Sequence, residues 1–176
     1  MTDPTIRPAT AADIPALHAL IESAYRGEVS RAGWTTEADL LDGQRTDPDD
    51  LADIIADPAQ VLLTAWRGAE LVGCILIADR GRGTGYFGML SVRPTLQAAG
   101  LGRRLVAVAE RELAARFDAR RVHISVFPQR DELIAWYQRL GYRDTGRTLP
   151  FDYDNPRLGL PLRDDLHFIV MSKEIV

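Results

Sequence analysis

The sequence is poor in the residues that most often build disulfides and metal sites. Among 176 residues there is one cysteine, Cys74, so an internal disulfide is excluded. The three histidines are far apart, and none has a second histidine at ligand spacing. We therefore expect no metal, and we expect Cys74, which lies within an apolar run, to be a small core residue.

Lysine is nearly absent too, because Lys173 is the only one and arginine supplies the other basic residues. The net charge of −4 and the lack of any basic run argue against a nucleic-acid partner. No apolar run reaches membrane-spanning length, and the first residues do not resemble a secretory signal. These absences predict a cytoplasmic protein that binds neither nucleic acid nor membrane.

Several catalytic motifs are missing as well. No serine lies in a Gly-x-Ser-x-Gly elbow, and no Gly-Lys-Ser/Thr ends a phosphate loop, so a hydrolase triad and a nucleotide triphosphatase both lose support. Residues 83–88 match the sequence pattern Gly-x-Gly-x-x-Gly of the dinucleotide fingerprint. That motif must open a helix, whereas this stretch enters a predicted strand, so the match is attributed to chance.

The apolar content of 46% is enough for one well-buried domain over residues 1–176. Period-2 patterns predict strands, and period-3.6 patterns predict helices. The predicted strands are Thr5–Arg7, Val61–Trp66, Glu70–Ala78, Tyr86–Val92, Arg121–Val126, Tyr142–Thr148 and Leu166–Lys173, and the predicted helices are Thr10–Tyr25, Thr36–Leu41, Asp49–Ala56, Leu101–Phe117 and Asp131–Leu140. This order predicts a mixed α/β fold with a mostly antiparallel sheet of six to seven strands and helices on both faces.

One turn between a predicted strand and a predicted helix has few side chains: Gln97-Ala98-Ala99-Gly100-Leu101-Gly102-Arg103. The Ser, Thr, Asp or Asn that usually caps a helix is replaced by the Gly100–Gly102 stretch. The first backbone N–H groups of the helix are then available to an external anion at its positive end. We interpret the turn as a phosphate site, although a turn satisfied by water fits the spacing equally well.

About forty residues later comes the segment Trp136-Tyr137-x-x-Leu140-Gly141-Tyr142. Together with Gln97-x-x-Gly100-x-Gly102 after a strand, it resembles the two most recognisable motifs of the GNAT superfamily of N-acyltransferases. The order of strands and helices resembles that fold over essentially the whole chain. The resemblance implies a sheet splayed in a V, and an enzyme that transfers acetyl from acetyl-CoA directly to a primary amine of a small molecule or peptide.

The resemblance also implies particular roles. Backbone amides of Gln97, Ala98, Ala99, Gly100, Leu101, Gly102 and Arg103 would hold the diphosphate of coenzyme A. The strand residues Leu90, Ser91 and Val92 would pair with its pantetheine arm and polarise the thioester carbonyl. Tyr137 would face the departing sulfur.

Tyr137 taken alone fits a packing role, since it lies four positions from Leu133 on one helix stripe. In the implied functional role it would act mainly as a hydrogen-bond donor. A phenol has a reference pKa of about 10 and a thiol about 8.5, so full proton transfer to the thiolate is unfavourable.

The amine acceptor is predicted to meet the least regular parts of the chain. Residues 28–58 carry a net charge of −7, which would attract a cationic amine, with Trp34 as an aromatic wall and Glu37 as a charged contact. A solvated acidic surface fits the same composition. Residues 151–154 of a long late loop would form the other side of the cleft.

The general base is left open. The strand before the phosphate turn contains no carboxylate, and Arg130 stands where the superfamily often has asparagine. Glu37, Asp131, Glu132, His123 or a chain of waters remain as candidates.

Two other classes of protein share the phosphate turn. One is a non-catalytic acyl-CoA-binding or regulatory module on the same fold, and the other is a nucleotide-binding protein. Exposed strand edges are also compatible with a homodimer.

Overall fold

The computed structural model describes residues 3–33, 35–97 and 99–176. The strands are β1 (Thr5–Pro8), β2 (Leu41–Asp42), β3 (Gln60–Arg67), β4 (Glu70–Asp79), β5 (Thr84–Val92), β6 (Arg121–Val126), β7 (Arg143–Pro150), β8 (Leu160–Pro161) and β9 (His167–Glu174). The helices are α1 (Ile14–Tyr25), α2 (Gly27–Ser30), α3 (Pro48–Ala56), α4 (Leu101–Phe117) and α5 (Asp131–Arg139). Single 3₁₀ turns occupy Ala11–Asp13, Pro94–Leu96 and Pro156–Leu158.

Seven strands form the main sheet in the order β1-β3-β4-β5-β6-β9-β7. Every neighbouring pair is antiparallel except β5 and β6. Eight of the ten residues of β4 are buried, as expected for a central strand covered on both faces. The predicted mixed α/β fold with a mostly antiparallel sheet is therefore confirmed.

Helices cover both faces of this sheet, and each face has its own apolar core. On one face α1 and α3 pack on β3 and β4 through residues such as Leu17, Leu51 and Cys74. On the other face α4 and α5 pack on β4, β5 and β6 through residues such as Leu105 and Tyr137. The expectation that Cys74 is a core residue is confirmed, since its side chain is fully buried.

The single parallel pair is short. β5 and β6 pair only through residues 84–86 of β5 and 121–123 of β6. Past Tyr86, the described residues show no further pairing between these strands, although β5 continues to Val92 and β6 to Val126. At the closed end, a Cβ at Gly85 would come within 2.8 Å of Leu113 of α4, so glycine permits close helix packing there. The predicted V-shaped opening is present.

The predicted helix over residues 36–41 is wrong. The backbone makes one turn, with the N–H groups of Leu40 and Leu41 both donating to the Glu37 carbonyl, and then enters β2. β2 pairs antiparallel with β8 in the late loop. Leu40 and Leu41 both pack into a third apolar cluster with Phe151, and this tertiary packing outweighs the weak helix preference of six residues.

The other predicted elements are confirmed with small changes at their ends, including the helix over residues 49–56, which begins at Pro48. In the described part of the chain, no helix has the length and apolarity needed to cross a membrane.

Candidate functional site

The open edge of β5 carries a β-bulge. Gly88 pairs with Leu76 and Ser91 pairs with Cys74, so Met89 and Leu90 together stand opposite the single residue Ile75. Met89 has a φ of +49°, in the left-handed region that non-glycine residues rarely adopt. Such a bulge redirects backbone groups away from the regular ladder, and the strain it holds is typical of functional sites.

Side chains behind the bulge hold it in place. The Met89 carbonyl accepts hydrogen bonds from Ser91 Oγ at 3.0 Å and from Cys74 Sγ at 3.7 Å. The Leu90 carbonyl accepts one from the Tyr25 hydroxyl at 2.6 Å. The side chains of Leu90, Ser91 and Val92 are buried, so this part of β5 can offer a ligand only its backbone.

The N-terminus of α4 has the open geometry that the sequence predicts. Gly100 occupies the N-cap position with a φ of +84°, and no side chain caps the helix there. The N–H of Arg104 is the first to reach the Gly100 carbonyl, at 3.1 Å, and the space where a Cβ of Gly100 would point is empty. This 17-residue helix therefore presents the positive end of its dipole to an unobstructed surface beside the exposed Arg103.

Gln97 fixes the turn from the side. Its Nε2 donates to the Val92 carbonyl at 3.0 Å and to Thr35 Oγ1 at 2.9 Å. A Cβ at Gly33 would collide with the Gln97 amide, so the loop before Thr35 also packs against it. Ala98 of the same predicted site lies outside the described residues.

Tyr137 of α5 packs in the apolar core, and its hydroxyl is available as a hydrogen-bond donor. Its ring is buried and packs against Trp136, Tyr142 and Phe87, with centroid distances of 5.0, 5.8 and 6.0 Å. No residue in the described ranges hydrogen-bonds to its hydroxyl. Burial raises the pKa of the phenol well above its ordinary value, so the hydroxyl keeps its proton and can donate it in a hydrogen bond.

The two sequence motifs meet in space. A Cβ at Gly102 would lie 3.6 Å from Cζ2 of Trp136, so the first turn of α4 and the middle of α5 are adjacent. The glycine turn and Tyr137 therefore belong to one region, as the resemblance implies.

A cleft of about 320 Å³ opens where β5 and β6 part. Its walls include residues 86–90 of β5, 124–126 of β6, Tyr25, Tyr137, and the charged residues Glu37, Arg45 and Arg130. The lining is completed by apolar residues: Leu133, Leu149, Pro150, Leu158 and Phe168. The predicted residues Leu90, Tyr137 and Glu37 are thus brought to one cavity.

Glu37 is tied into an ionic network within this cleft. Its two carboxylate oxygens accept from Arg26 Nη1 at 2.7 Å and Arg130 Nη1 at 3.1 Å, and Arg130 Nη2 donates to the Thr35 carbonyl at 2.6 Å. Burial alone would raise the pKa of Glu37, but the charges of Arg130, Arg45 and Arg26 hold that pKa below its ordinary value. Glu37 is therefore an ionised partner of arginines and a poor proton acceptor.

The other candidate bases lie outside the cleft lining. Asp131 and Glu132 are exposed at the start of α5 and border an outer groove of about 480 Å³. His123 lies on the paired part of β6, and burial lowers its pKa.

Most carboxylates of the acidic segment also have local partners. Asp47 caps α3, Glu28 and Asp39 pair with Arg31, and Asp57 accepts from the Ala59 N–H. Trp34 lies outside the described residues. Within those residues, no group of three or more His, Cys, Asp and Glu side chains could hold a metal ion.

Sequence reasoning missed Tyr25, Arg26 and Arg45. Tyr25 and Arg26 lie at the end of an amphipathic helix whose pattern indicates only that it covers the sheet. Arg45 lies in an irregular loop, where no periodic pattern identifies functional residues. For Arg130, the sequence indicates only a departure from the asparagine that is common at this position in the superfamily. Leu149 and Pro150, at the end of β7, and Leu158 of the late loop contribute to the cleft. Of the predicted residues 151–154, Phe151 is buried in the third apolar cluster, and Asp152, Tyr153 and Asp154 are exposed.

Comparisons with known proteins agree with this geometry. No curated protein sequence matches the chain significantly. Among solved structures, yncA from Salmonella typhimurium, determined with its cofactor acetyl-CoA, has a TM-score of 0.71 at 20% identity, covering 99% of this chain and 95% of that one. The ribosomal-protein-alanine N-acetyltransferase from Brucella melitensis has a TM-score of 0.71 at 21% identity, covering 97% and 99%.

A spermidine N-acetyltransferase chimera, built from Vibrio cholerae SpeG and hSSAT, has a TM-score of 0.66 at 15% identity, covering 99% and 97%. These likenesses show the fold. The model of the acetyltransferase (GNAT) family matches residues 17–142. The chain belongs to the GNAT family of acetyltransferases.

Proposed function

We propose that residues 1–176 act as one N-acetyltransferase domain, which transfers the acetyl group of acetyl-CoA to a primary amine of a small molecule or peptide. One observation carries this proposal: β5 and β6 part after Tyr86, and the edge of β5 that is left unpaired is followed, after the 3₁₀ turn Pro94–Leu96, by the uncapped N-terminus of α4. The amides of a pantetheine arm can pair with such a free strand edge, and a diphosphate can bind to such a helix end.

The residues present fit coenzyme A. The first turn of α4, from Gly100 to Arg103, would hold the diphosphate on backbone N–H groups, because glycine at positions 100 and 102 keeps side chains out of the way. The open edge of β5 would pair with the pantetheine amides. Gln97 supports this arrangement indirectly, since its side chain joins the turn to the end of β5 at Val92.

In the reaction, the acceptor nitrogen attacks the thioester carbonyl carbon, the C–N bond forms, and the C–S bond breaks. The amide product and free coenzyme A leave. The bulge at Met89 and Leu90 supplies a backbone amide to polarise the carbonyl, and the Tyr137 hydroxyl donates a hydrogen bond to the sulfur as negative charge develops there.

The nitrogen must attack as a neutral amine and lose a proton after attack. Glu37 is held ionised by arginines, so we assign this proton to water and not to a carboxylate in the cleft.

The deciding experiment measures thiol release from acetyl-CoA across a panel of amines, with mass spectrometry of the acetylated product. We expect thiol release that depends on both the amine and the enzyme. Tight coenzyme A binding without thiol release for any amine would favour a non-catalytic acyl-CoA-binding module. Greater thermal stabilisation by ATP or NAD than by coenzyme A would favour a nucleotide-binding protein.

A further inference from the structure

The cleft beside the bulge holds more positive than negative charge. Arg45 and Arg130 line it together with a single carboxylate, Glu37, and Arg26 also contacts that carboxylate. One carboxylate therefore faces three guanidinium groups. Each oxygen of Glu37 accepts one hydrogen bond, from Arg26 and from Arg130, and among the described residues Arg45 makes no hydrogen bond to this carboxylate.

Arg45 is the arginine of these three that does not hydrogen-bond to Glu37. The Arg45 backbone N–H donates to Glu22 Oε1 at 2.7 Å, but within the described residues its guanidinium makes no hydrogen bond or ion pair. The nearby carboxylate of Asp50 accepts from Thr46 Oγ1 at 2.9 Å instead. Burial alone would lower the pKa of Arg45, but the electrostatic influence of Glu37, Tyr25, Tyr86 and Asp50 together outweighs burial and raises that pKa, so the half-buried group stays cationic.

Arg45 is also held close to the reacting centre. Its guanidinium carbon lies 5.2 Å from the centre of the Tyr25 ring, in a cation–π contact. The hydroxyl of the same tyrosine donates to the Leu90 carbonyl in the bulge at 2.6 Å. One aromatic ring therefore separates the unpaired guanidinium from the backbone that would hold the thioester.

We propose that the acceptor carries a carboxylate beside its amine, and that Arg45 binds this carboxylate in the cleft. This inference rests on the proposed acetyltransferase function and names its substrate class, an amino acid or a similarly small amino-carboxylate. A guanidinium binds a carboxylate through two parallel N–H bonds, and a half-buried guanidinium whose N–H groups bond no anion is stabilised when such an anion arrives.

The same charge pattern disfavours polyamines. The acidic segment suggested a cationic amine, but its carboxylates are mostly engaged in caps and surface pairs, while the cleft itself exposes guanidinium groups. A second ammonium on the acceptor would meet repulsion there.

The test compares L-amino acids with their α-amides and with the corresponding decarboxylated amines, using thiol release from acetyl-CoA. We expect one or more amino acids to release thiol faster than both of their matched analogues without a carboxylate. Arg45→Gln should raise the KM for that amino acid about 10- to 100-fold, and Arg45→Lys should raise it less, because a charge remains without the bidentate geometry. The exposed arginine of the surface pair Arg116–Glu112 supplies the control Arg116→Gln, which should change nothing.

A binding measurement keeps this test independent of turnover. The coenzyme A-saturated protein is heated with each amino acid and with its α-amide, for the wild type and Arg45→Gln. We expect a thermal shift with the carboxylate form only, and its loss in Arg45→Gln.

Two results would overturn the assignment. One is equal thermal shifts or equal rates for the amino acids and their amides. The other is faster turnover of succinyl-CoA than of acetyl-CoA with an amine that lacks a carboxylate, which would mean that Arg45 binds the acyl donor. Thiol release only with amines that lack a carboxylate would overturn this inference and leave the acetyltransferase proposal intact.

Absence of thiol release with every amine would overturn the acetyltransferase proposal. The thermal shifts would then still decide whether Arg45 binds a carboxylate.

Discussion

The strand-and-turn segment from Leu90 to Arg103 and the arginine cluster of Arg26, Arg45 and Arg130 adjoin the same cleft, yet they offer a ligand different kinds of atoms. The segment presents backbone groups, since its strand side chains are buried and its turn is rich in glycine. The cluster presents the charged side chains of Arg45, from a loop, and Arg130, at the start of α5, whereas Arg26 is buried and pairs with Glu37. Backbone recognition suits a ligand that stays constant, whereas side-chain recognition can be changed one residue at a time.

The largest effect is expected in the arginine cluster. Glu37→Gln removes the carboxylate that compensates the buried Arg26 and the partly buried Arg130. We expect the free energy of unfolding to fall by roughly 3–5 kcal/mol, measured by denaturant titration near pH 7. Asp39→Asn is the matched control, because Asp39 lies two residues away in an exposed pair with Arg31 and should have little effect.

The pH dependence of this effect has a definite sign. The folded-state pKa of Glu37 lies below its ordinary value of 4.5, so its stabilising contribution is complete above that pH and is lost as the pH falls through the folded-state pKa. The stability difference between wild type and Glu37→Gln should therefore shrink in acid. A difference that stays constant down to the lowest measurable pH would contradict the ionic role.

On the backbone side, the sharpest pair of variants is Gly100→Asp and Gly100→Asn. Both replace glycine at a positive φ with residues of the same shape that tolerate this conformation, so charge is the main difference between them. We expect Gly100→Asp to bind coenzyme A at least about 100-fold more weakly than Gly100→Asn, by isothermal titration calorimetry. Equal affinities would mean that the diphosphate does not lie at this helix end.

Tyr137→Phe tests the chemistry between the two regions. The ring packing should survive, so affinity for acetyl-CoA should change little, whereas kcat should fall about 10- to 100-fold with the lost hydrogen bond to sulfur. The hydroxyl of Tyr142 donates to Glu110 instead of lining the cleft, so Tyr142→Phe is the control. An unchanged kcat in Tyr137→Phe would limit this residue to packing.

The smallest effect is expected at Gln97, which links the strand-and-turn segment to the loop next to the arginine cluster. Gln97 Nε2 bonds both Val92 of β5 and Thr35, whose carbonyl in turn accepts from Arg130. Gln97→Ala should weaken both coenzyme A and acceptor binding, by about 3- to 10-fold each. Thr35→Val removes only the hydroxyl and should weaken coenzyme A binding less than Gln97→Ala does. Equal losses for coenzyme A would show that the contact with Thr35, and not that with Val92, positions the turn.

These differences also explain what the sequence could reveal. The uncapped turn at Gly100 can be recognised from neighbouring residues alone. The same holds for the alternation of buried and exposed residues in β5 and for the apolar stripe along α4. Tyr137 became recognisable through a short motif. The main sheet followed from the order of such elements.

The arginine cluster could not be predicted in this way. Arg26 and Arg130 meet Glu37 across sequence separations of 11 and 93 residues, and Arg45 sits in a loop without periodicity. The pairing of β2 with β8 depends on apolar contacts between Leu41 and the late loop, so the local helix preference of residues 36–41 gave the wrong answer. Net charge also does not reveal local pairing: the acidic segment uses most of its carboxylates for its own caps and pairs.

The buried thiol of Cys74 has a practical consequence for any assay of this protein. It is the only cysteine of the sequence, it is fully buried behind the bulge at Met89, and burial raises its pKa to about 12. A chromogenic disulfide reagent reacts with thiolates that it can reach, and the folded enzyme offers it none. Colour developed during turnover under native conditions therefore counts released coenzyme A alone, and a slow rise in colour without substrate would report unfolding of the sheet.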